Sequence, residues 1–152
     1  MAVGLVPRAR LGEMAPAFLR MLQPVAERTN GRYEATDWLV QASQDHMQVW
    51  VAFSEGGDPF DPDVMLLTEI VVYPRLKALR IIACAGIKFF EHYDEIETAL
   101  LRKFGPLHGC TRFEIVGRSG WQKVLKRFGS VSRDHITEGA LDEQVQGPDA
   151  AH

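Results

Sequence analysis

The spacing of apolar residues changes along the chain between a helical repeat and a strand-like alternation. Over residues 13–31, Phe18, Leu22 and Val25 recur on one face, which predicts an amphipathic helix. Pro24 lies inside this repeat and lacks a backbone N–H, so we expect it to kink or split the helix.

The next segments shift from helical spacing to alternation. Residues 35–44 predict a short helix with Thr36 or Asp37 as its N-terminal cap, because both side chains accept hydrogen bonds from free N–H groups. Residues 46–55 alternate and are rich in valine and aromatics, which is typical of a strand. The glycines and prolines of 55–63 indicate a loop.

The second half of the chain continues this pattern. It predicts a hairpin of strands 64–73 and 78–85, a helix 89–104 that Gly105-Pro106 ends, a strand 112–117, a helix 121–129 and a last strand 131–137. Together the elements predict a single α/β domain, a mixed and mostly antiparallel sheet flanked by helices, over residues 1–139. Residues 140–152 are polar and acidic, and we expect a flexible tail.

Composition excludes several classes of protein. The chain has 152 residues, 46% of them hydrophobic and 24% charged, as in ordinary soluble domains. We find no run of membrane-spanning length and no signal peptide, so we expect no membrane partner and a location in a cytoplasm or inside a particle. Cys84 and Cys110 are the only cysteines, and we expect two unpaired, buried thiols.

Charge is distributed unevenly. Residues 102–133 carry eight basic side chains and one acid, a charge of +7, whereas the rest of the chain carries −10. Such separation indicates a surface for an anionic partner, and the alternative is a solvated helix face paired with acidic neighbours. The residues expected to form this surface are Arg112, Arg118, Lys123, Lys126 and Arg127.

Three segments resemble the GNAT superfamily of N-acetyltransferases, and most of all GNAT-like proteins of unassigned activity encoded by phages and prophages. They are LTEIVVYPRLKALRI (67–81), GCTRFEIVGRSGW (109–121) and KVLKRFG (123–129), within a likeness that spans about residues 16–137. The resemblance implies a GNAT-like domain and, in active members, a site for acetyl-coenzyme A.

The resemblance places the coenzyme A site where the central strand enters the following helix. In active members a loop of the form Gln/Arg-x-x-Gly-x-Gly/Ala holds the pyrophosphate with backbone N–H groups at the helix start. Here Ala85, Gly86, Ile87 and Lys88 would form that loop, but the second glycine is missing and Glu91 adds negative charge. We therefore expect no resident cofactor, with acetyl-coenzyme A as the alternative.

The catalytic residues of the resemblance are also incomplete. Leu125 stands where active members often carry the tyrosine that protonates the departing thiolate. Glu69, within an apolar strand, is the one candidate general base, since burial would favour its neutral form near physiological pH. The alternative for Glu69 is an ion pair with Arg75 or Arg80 across the hairpin.

Other groupings of residues give weaker signals. The five histidines and two cysteines have no zinc-ligand spacing, so we predict no metal site, and His92 is expected on an exposed helix face. The Gly117–Trp121 segment predicts a tight corner with Trp121 buried against the core.

These observations lead to a GNAT-like protein with a degenerate acetyl-coenzyme A site. It would be a non-catalytic component of a virion or of particle assembly, bound to a protein partner such as a phage structural protein or a second copy. The alternative is an acetyl-coenzyme A-dependent N-acetyltransferase. Nucleic-acid binding through the basic segment 102–133 ranks last, because no aromatic residues are interleaved with the basic ones there.

Overall fold

The computed structural model describes residues 2–116. Its strands are β1 (Ala2–Leu5), β2 (Gln48–Phe53), β3 (Val64–Val72), β4 (Lys77–Gly86) and β5 (Arg112–Ile115). Its helices are α1 (Leu11–Glu27), α2 (Ala35–Ser43), α3 (Tyr93–Glu97) and α4 (Gly105–Leu107), with a π-helical stretch Thr98–Phe104 between the last two and single 3₁₀ turns at Arg8–Arg10 and Phe89–Glu91. The expected helix 121–129, strand 131–137 and tail 140–152 lie outside the described residues.

The five strands form one sheet in the order β1-β2-β3-β4-β5. The first three pairings are antiparallel, and β4 pairs with β5 in parallel. The prediction of a mixed, mostly antiparallel sheet within a single α/β domain is therefore confirmed. Strand β1 was not predicted, because four residues that include a glycine are too short to show an alternation.

The sheet separates two hydrophobic cores. One core lies against α1 and α2, where Phe18, Leu22 and Trp38 pack onto Met65 and Leu67. The predicted apolar face of α1 is thus correct for Phe18 and Leu22, both fully buried.

The second core lies on the opposite side of the sheet. Ile96 and Leu100, from α3 and the π-helical stretch, pack onto Trp50, Leu66 and Leu79. Because β3 is covered on both faces, its residues are apolar at consecutive positions, as Leu66 and Leu67 show.

Strand β4 contains a bulge. Thr68 of β3 is opposite Ile81, but Leu67 is opposite Ala83, so Ile82 is an extra residue on β4. Ile82 and Ala83 both pack against the first core, whereas Ile81 and Cys84 pack against the second. The bulge therefore changes which face each later residue of β4 occupies.

Three helix boundaries differ from the prediction. Helix α1 continues through Pro24 to Glu27, because burial of its apolar face on both sides of the proline compensates for the missing hydrogen bond. Helix α2 is capped at Glu34, whose backbone N–H donates to Asp37 Oδ2 at 2.9 Å, so the cap is neither Thr36 nor Asp37 itself.

Gly105-Pro106 does not end the third helical region, which runs on to Leu107. The chain first widens into the π-helical stretch, and Pro106 then occupies the first turn of α4, where its missing N–H breaks no helical bond. The helical path therefore extends past the proline up to the loop that leads into β5.

Candidate functional site

The most distinctive feature of the sheet is the short parallel pairing of β4 with β5. The two strands are paired from Ala78 and Arg112 to Ile81 and Ile115, and the N–H of Val116 donates to the Ile81 carbonyl at 3.0 Å. Strand β4 continues for five more residues to Gly86, without a β5 partner in the described part of the chain. Within residues 2–116, the pairing of the two strands thus ends next to the bulge at Ile82.

Four polar side chains form a network where β4 and β5 are still paired. Arg80 Nη1 donates to Glu69 Oε1 at 3.2 Å, and its Nε and Nη2 both donate to Glu114 Oε1 at 3.3 Å. Tyr73 Oη accepts a bond from Arg80 Nη2 at 3.0 Å and lies 2.9 Å from both oxygens of Glu114, to which it donates its proton. Register places Glu69 beside Arg80 and Arg80 beside Glu114 across three strands.

This network holds two carboxylates around one guanidinium, a net charge of −1. Partial burial lowers the pKa of Arg80, but the charge of Glu114 and the bond with Tyr73 outweigh it, so the pKa lies above its usual value. The sequence left two possibilities for Glu69, and the structure has the ion pair with Arg80. Glu69 as a catalytic base stays a prediction, and such a base would first have to leave the guanidinium.

The candidate cofactor residues lie at the end of β4 and just beyond it. Ala85 is half-buried against the first core, whereas Gly86, Ile87 and Lys88 are exposed. Gly86 has a φ of 116°, and a Cβ there would collide with the Asp63 carbonyl oxygen. This position thus requires glycine because its backbone lies close to Asp63 of the same chain.

The loop offers little to a pyrophosphate. The N–H of Ile87 already donates to the Asp63 carbonyl at 2.8 Å. Exposed Glu91, Asp94 and Glu95 surround the start of the short α3, against one cation, Lys88. Three carboxylates at a helix start oppose a doubly charged anion, so these residues do not fit the pyrophosphate of coenzyme A.

A buried histidine ties this loop to the one before β3. His92 is fully buried, and its Nε2 lies 2.8 Å from Asp63 Oδ2, which also accepts a bond from Ser54 Oγ at 3.0 Å. These bonds, led by that from His92, lower the pKa of Asp63 below its usual value. Because an ionised carboxylate only accepts, His92 Nε2 carries the proton, and no group of residues 2–116 forms a hydrogen bond with its buried Nδ1.

The expectation that His92 would be exposed is therefore wrong. The sequence pattern placed it on a polar face beside Glu91 and Asp94, but the 3₁₀ turn before α3 rotates His92 toward the interior. Within residues 2–116, no three His, Cys, Asp or Glu side chains are grouped closely enough to hold a metal ion.

Both cysteines are unpaired, as predicted, and each is half-buried. Burial raises the pKa of Cys84 to about 12, so its thiolate form is scarce at neutral pH and it is a poor nucleophile. Burial also raises the pKa of Cys110, partly offset by nearby Lys77. Neither thiol therefore has the lowered pKa of a reactive cysteine, because burial is the largest effect at both positions.

One residue of the expected anionic-partner surface falls in the described region. Arg112 is exposed, and in the described part of the chain its guanidinium bonds only to the carbonyl of Thr111, at 3.0 Å. The other four residues of that surface, together with Leu125 and the corner at Gly117–Trp121, lie outside the described residues. In the part of the chain that is described, no helix has the length and apolar character needed to cross a membrane.

A mostly antiparallel sheet with helices on both faces and a parallel pairing of β4 with β5 defines an α/β fold found in acetyltransferases. A glucosamine-6-phosphate N-acetyltransferase from Arabidopsis thaliana matches with a TM-score of 0.62 and 11% identity, over 93% of this chain and 98% of that one. A GNAT family acetyltransferase from Staphylococcus aureus matches with a TM-score of 0.56 and 11% identity, over 92% and 98%. The chain has the GNAT fold.

A third similar structure is an aminoglycoside acetyltransferase from an uncultured soil metagenomic sample, in complex with sisomicin. Its TM-score is 0.64 at 10% identity, over 93% of this chain and 96% of that one. No family model and no curated protein matches the sequence. At such identities the structural likeness speaks for the fold and not for the reaction.

Sequence reasoning missed two parts of this region. Arg80, Tyr73 and Glu114 are far apart in sequence, and only the strand register brings them to Glu69. The link between Asp63 and His92 was equally hidden, although a lone histidine among acids was a signal that could have been weighed against burial.

Proposed function

We propose that this GNAT-fold protein acts chiefly by binding, with acetyl transfer weak or lost. The observation that carries the proposal is the chemistry of the loop after β4. The N–H of Ile87 already donates to the Asp63 carbonyl, and three exposed carboxylates lie around the start of α3. A pyrophosphate would meet repulsion there in place of a ring of donors. The ion pair between Glu69 and Arg80 adds to this, because the carboxylate is held by the guanidinium at 3.2 Å and is not free to approach an amine.

A second candidate is an acetyl-coenzyme A-dependent N-acetyltransferase. The specific observation in its favour is the pair of carboxylates Glu69 and Glu114, which flank Arg80 on the two strands beside β4. The acetyltransferases of similar fold are consistent with this reading. A working site would need the coenzyme to be held by groups other than the usual glycine-rich loop.

Calorimetry with acetyl-coenzyme A separates the two candidates. We expect no binding tighter than about 1 mM, equivalent to about −4 kcal/mol. Micromolar binding, or coenzyme that copurifies with the protein, would promote the acetyltransferase to first place. In that case Lys88→Ala should weaken binding, since Lys88 is the one cation of the loop, and Arg28→Ala, at an exposed position after α1, should not.

The setting of this binding role is a proposal of its own. A component of a virion or of particle assembly rests on the sequence resemblance to phage-encoded GNAT-like proteins. Mass spectrometry of purified particles from the source of the gene would test it, and finding the chain only among soluble host proteins would contradict it.

A further inference from the structure

Strand register brings two acid-free stretches of the sequence together at one end of the sheet. Residues 71–90 and 98–113 contain no aspartate or glutamate. They meet where β4 and β5 begin, because Ala78 is opposite Arg112 and the N–H of Thr111 donates to the Lys77 carbonyl at 3.0 Å. Basic side chains from both stretches therefore lie at this end of the sheet, Lys77 on the face of Leu79 and Arg112 on the face of Arg80.

Three of these basic side chains have no ion pair with any carboxylate of residues 2–116. Arg75 lies in the turn of the β3–β4 hairpin, Lys77 begins β4 and Arg112 begins β5, and all three are exposed. In this described range Arg112 bonds only to a backbone carbonyl. Arg80, by contrast, forms ion pairs with Glu69 and Glu114, and their charges offset its own.

Two aliphatic side chains flank the same cations. Val72 is opposite Lys77 in the hairpin and is 70% exposed. Leu107 ends α4, two residues before Gly109, which lies against the Lys77 side chain, and it is 82% exposed. Exposed aliphatic groups beside unpaired cations indicate a surface for a partner that supplies both carboxylates and apolar contacts.

We propose that Val72, Arg75, Lys77 and Leu107, here called the basic hairpin surface, bind an acidic protein segment that also carries apolar side chains. This rests on the proposed binding role and names the chemistry of the partner. A phosphate backbone would match the cations but would leave Val72 and Leu107 without contacts, and the chain's net charge of −3 opposes nucleic acid at long range.

The test uses fluorescence anisotropy with a labelled synthetic peptide of alternating glutamate and leucine. Charge reversal with Arg75→Glu and Lys77→Glu together should weaken binding about tenfold or more, because attraction becomes repulsion. The matched control, Arg8→Glu with Arg28→Glu, changes net charge equally at exposed positions elsewhere and should weaken binding less than about twofold. Val72→Ser with Leu107→Ser should also weaken the complex.

Three outcomes would overturn the proposal. They are no measurable peptide binding, equal losses in the two charge-reversed proteins, or tighter binding of a DNA duplex that is insensitive to Val72→Ser with Leu107→Ser. Vesicles of anionic lipid form a third arm, and preferential binding to them would also reject a protein partner. Failure here leaves the acetyl-coenzyme A result untouched, so the two proposals fail separately.

Discussion

At the scale of single residues, Gly86 shows how a position can look functional for one reason and be required for another. The sequence offered it as the glycine that lets a cofactor approach the backbone. In the structure its positive φ and the contact with the Asp63 carbonyl explain it without a ligand. Glycine is required here because the end of β4 passes close to the backbone of Asp63, just before β3.

We expect Gly86→Ala to lower the free energy of unfolding by about 2–4 kcal/mol, since a left-handed alanine costs about 1–2 kcal/mol and the collision with Asp63 adds to it. Gly31→Ala is the matched control. Gly31 has a φ of 81° with open space around it, so only the backbone cost of about 1 kcal/mol should appear. Chemical denaturation measures both, and equal losses would show that the collision is absent.

At the scale of elements, the loop between β2 and β3 stabilises the connection from β4 to α3. Asp63, just before β3, reaches His92, just before α3, while its backbone carbonyl receives the N–H of Ile87. The ionised form of Asp63 is the one that this arrangement stabilises, because its pKa is lowered in the folded protein.

Acid should therefore weaken this connection. The contribution of Asp63 is complete above the pKa of an unfolded aspartate, about 4, and is lost as the pH falls through the lower pKa of the folded state. We expect the stability difference between the parent and Asp63→Asn to be largest near about pH 6 and to shrink below about pH 4. Denaturant midpoints measured across that range check this.

Asp61→Asn provides the comparison for that experiment. Asp61 pairs with Arg20 at 3.0 Å, but both side chains are largely exposed, so its removal should change stability little at any pH. A difference for Asp63→Asn that stays constant from about pH 6 to about pH 3 would show that its charge does not matter.

At the scale of the whole molecule, β3 contributes side chains to both cores, so we expect the two cores to unfold together. Leu66→Ala and Leu67→Ala remove fully buried side chains from opposite faces, and each should cost about 2–5 kcal/mol. Val40→Ala, at an exposed position of α2, should cost less than about 0.5 kcal/mol.

Two buried tryptophans report on the two cores separately, Trp38 on the first and Trp50 on the second. For each leucine variant, tryptophan fluorescence and the far-ultraviolet circular dichroism of the helices should give the same denaturation midpoint. Two separated midpoints would mean that the cores unfold independently and that the sheet does not couple them.

How far the sequence predicted this molecule depends on the range of the interactions. Helix α2, the hairpin of β3 and β4, and β5 follow from local periodicity and turn residues, and the structure contains all of them. The helix continuing past Pro106, the burial of His92 and the grouping of Arg80, Tyr73 and Glu114 depend on contacts between distant segments. Local patterns carry no signal for such contacts.

The extra residue in β4 has one further consequence for how this strand tolerates change. In a regular strand, alternate positions face opposite sides of the sheet, so each position meets only one of the two cores. At Ile82 this alternation is interrupted: Leu79 and Ile81 pack against the second core, whereas Ala83 and Ala85 pack against the first. Loss of this single residue would turn every later side chain of β4 over, and the strand would lose its match to both cores at once.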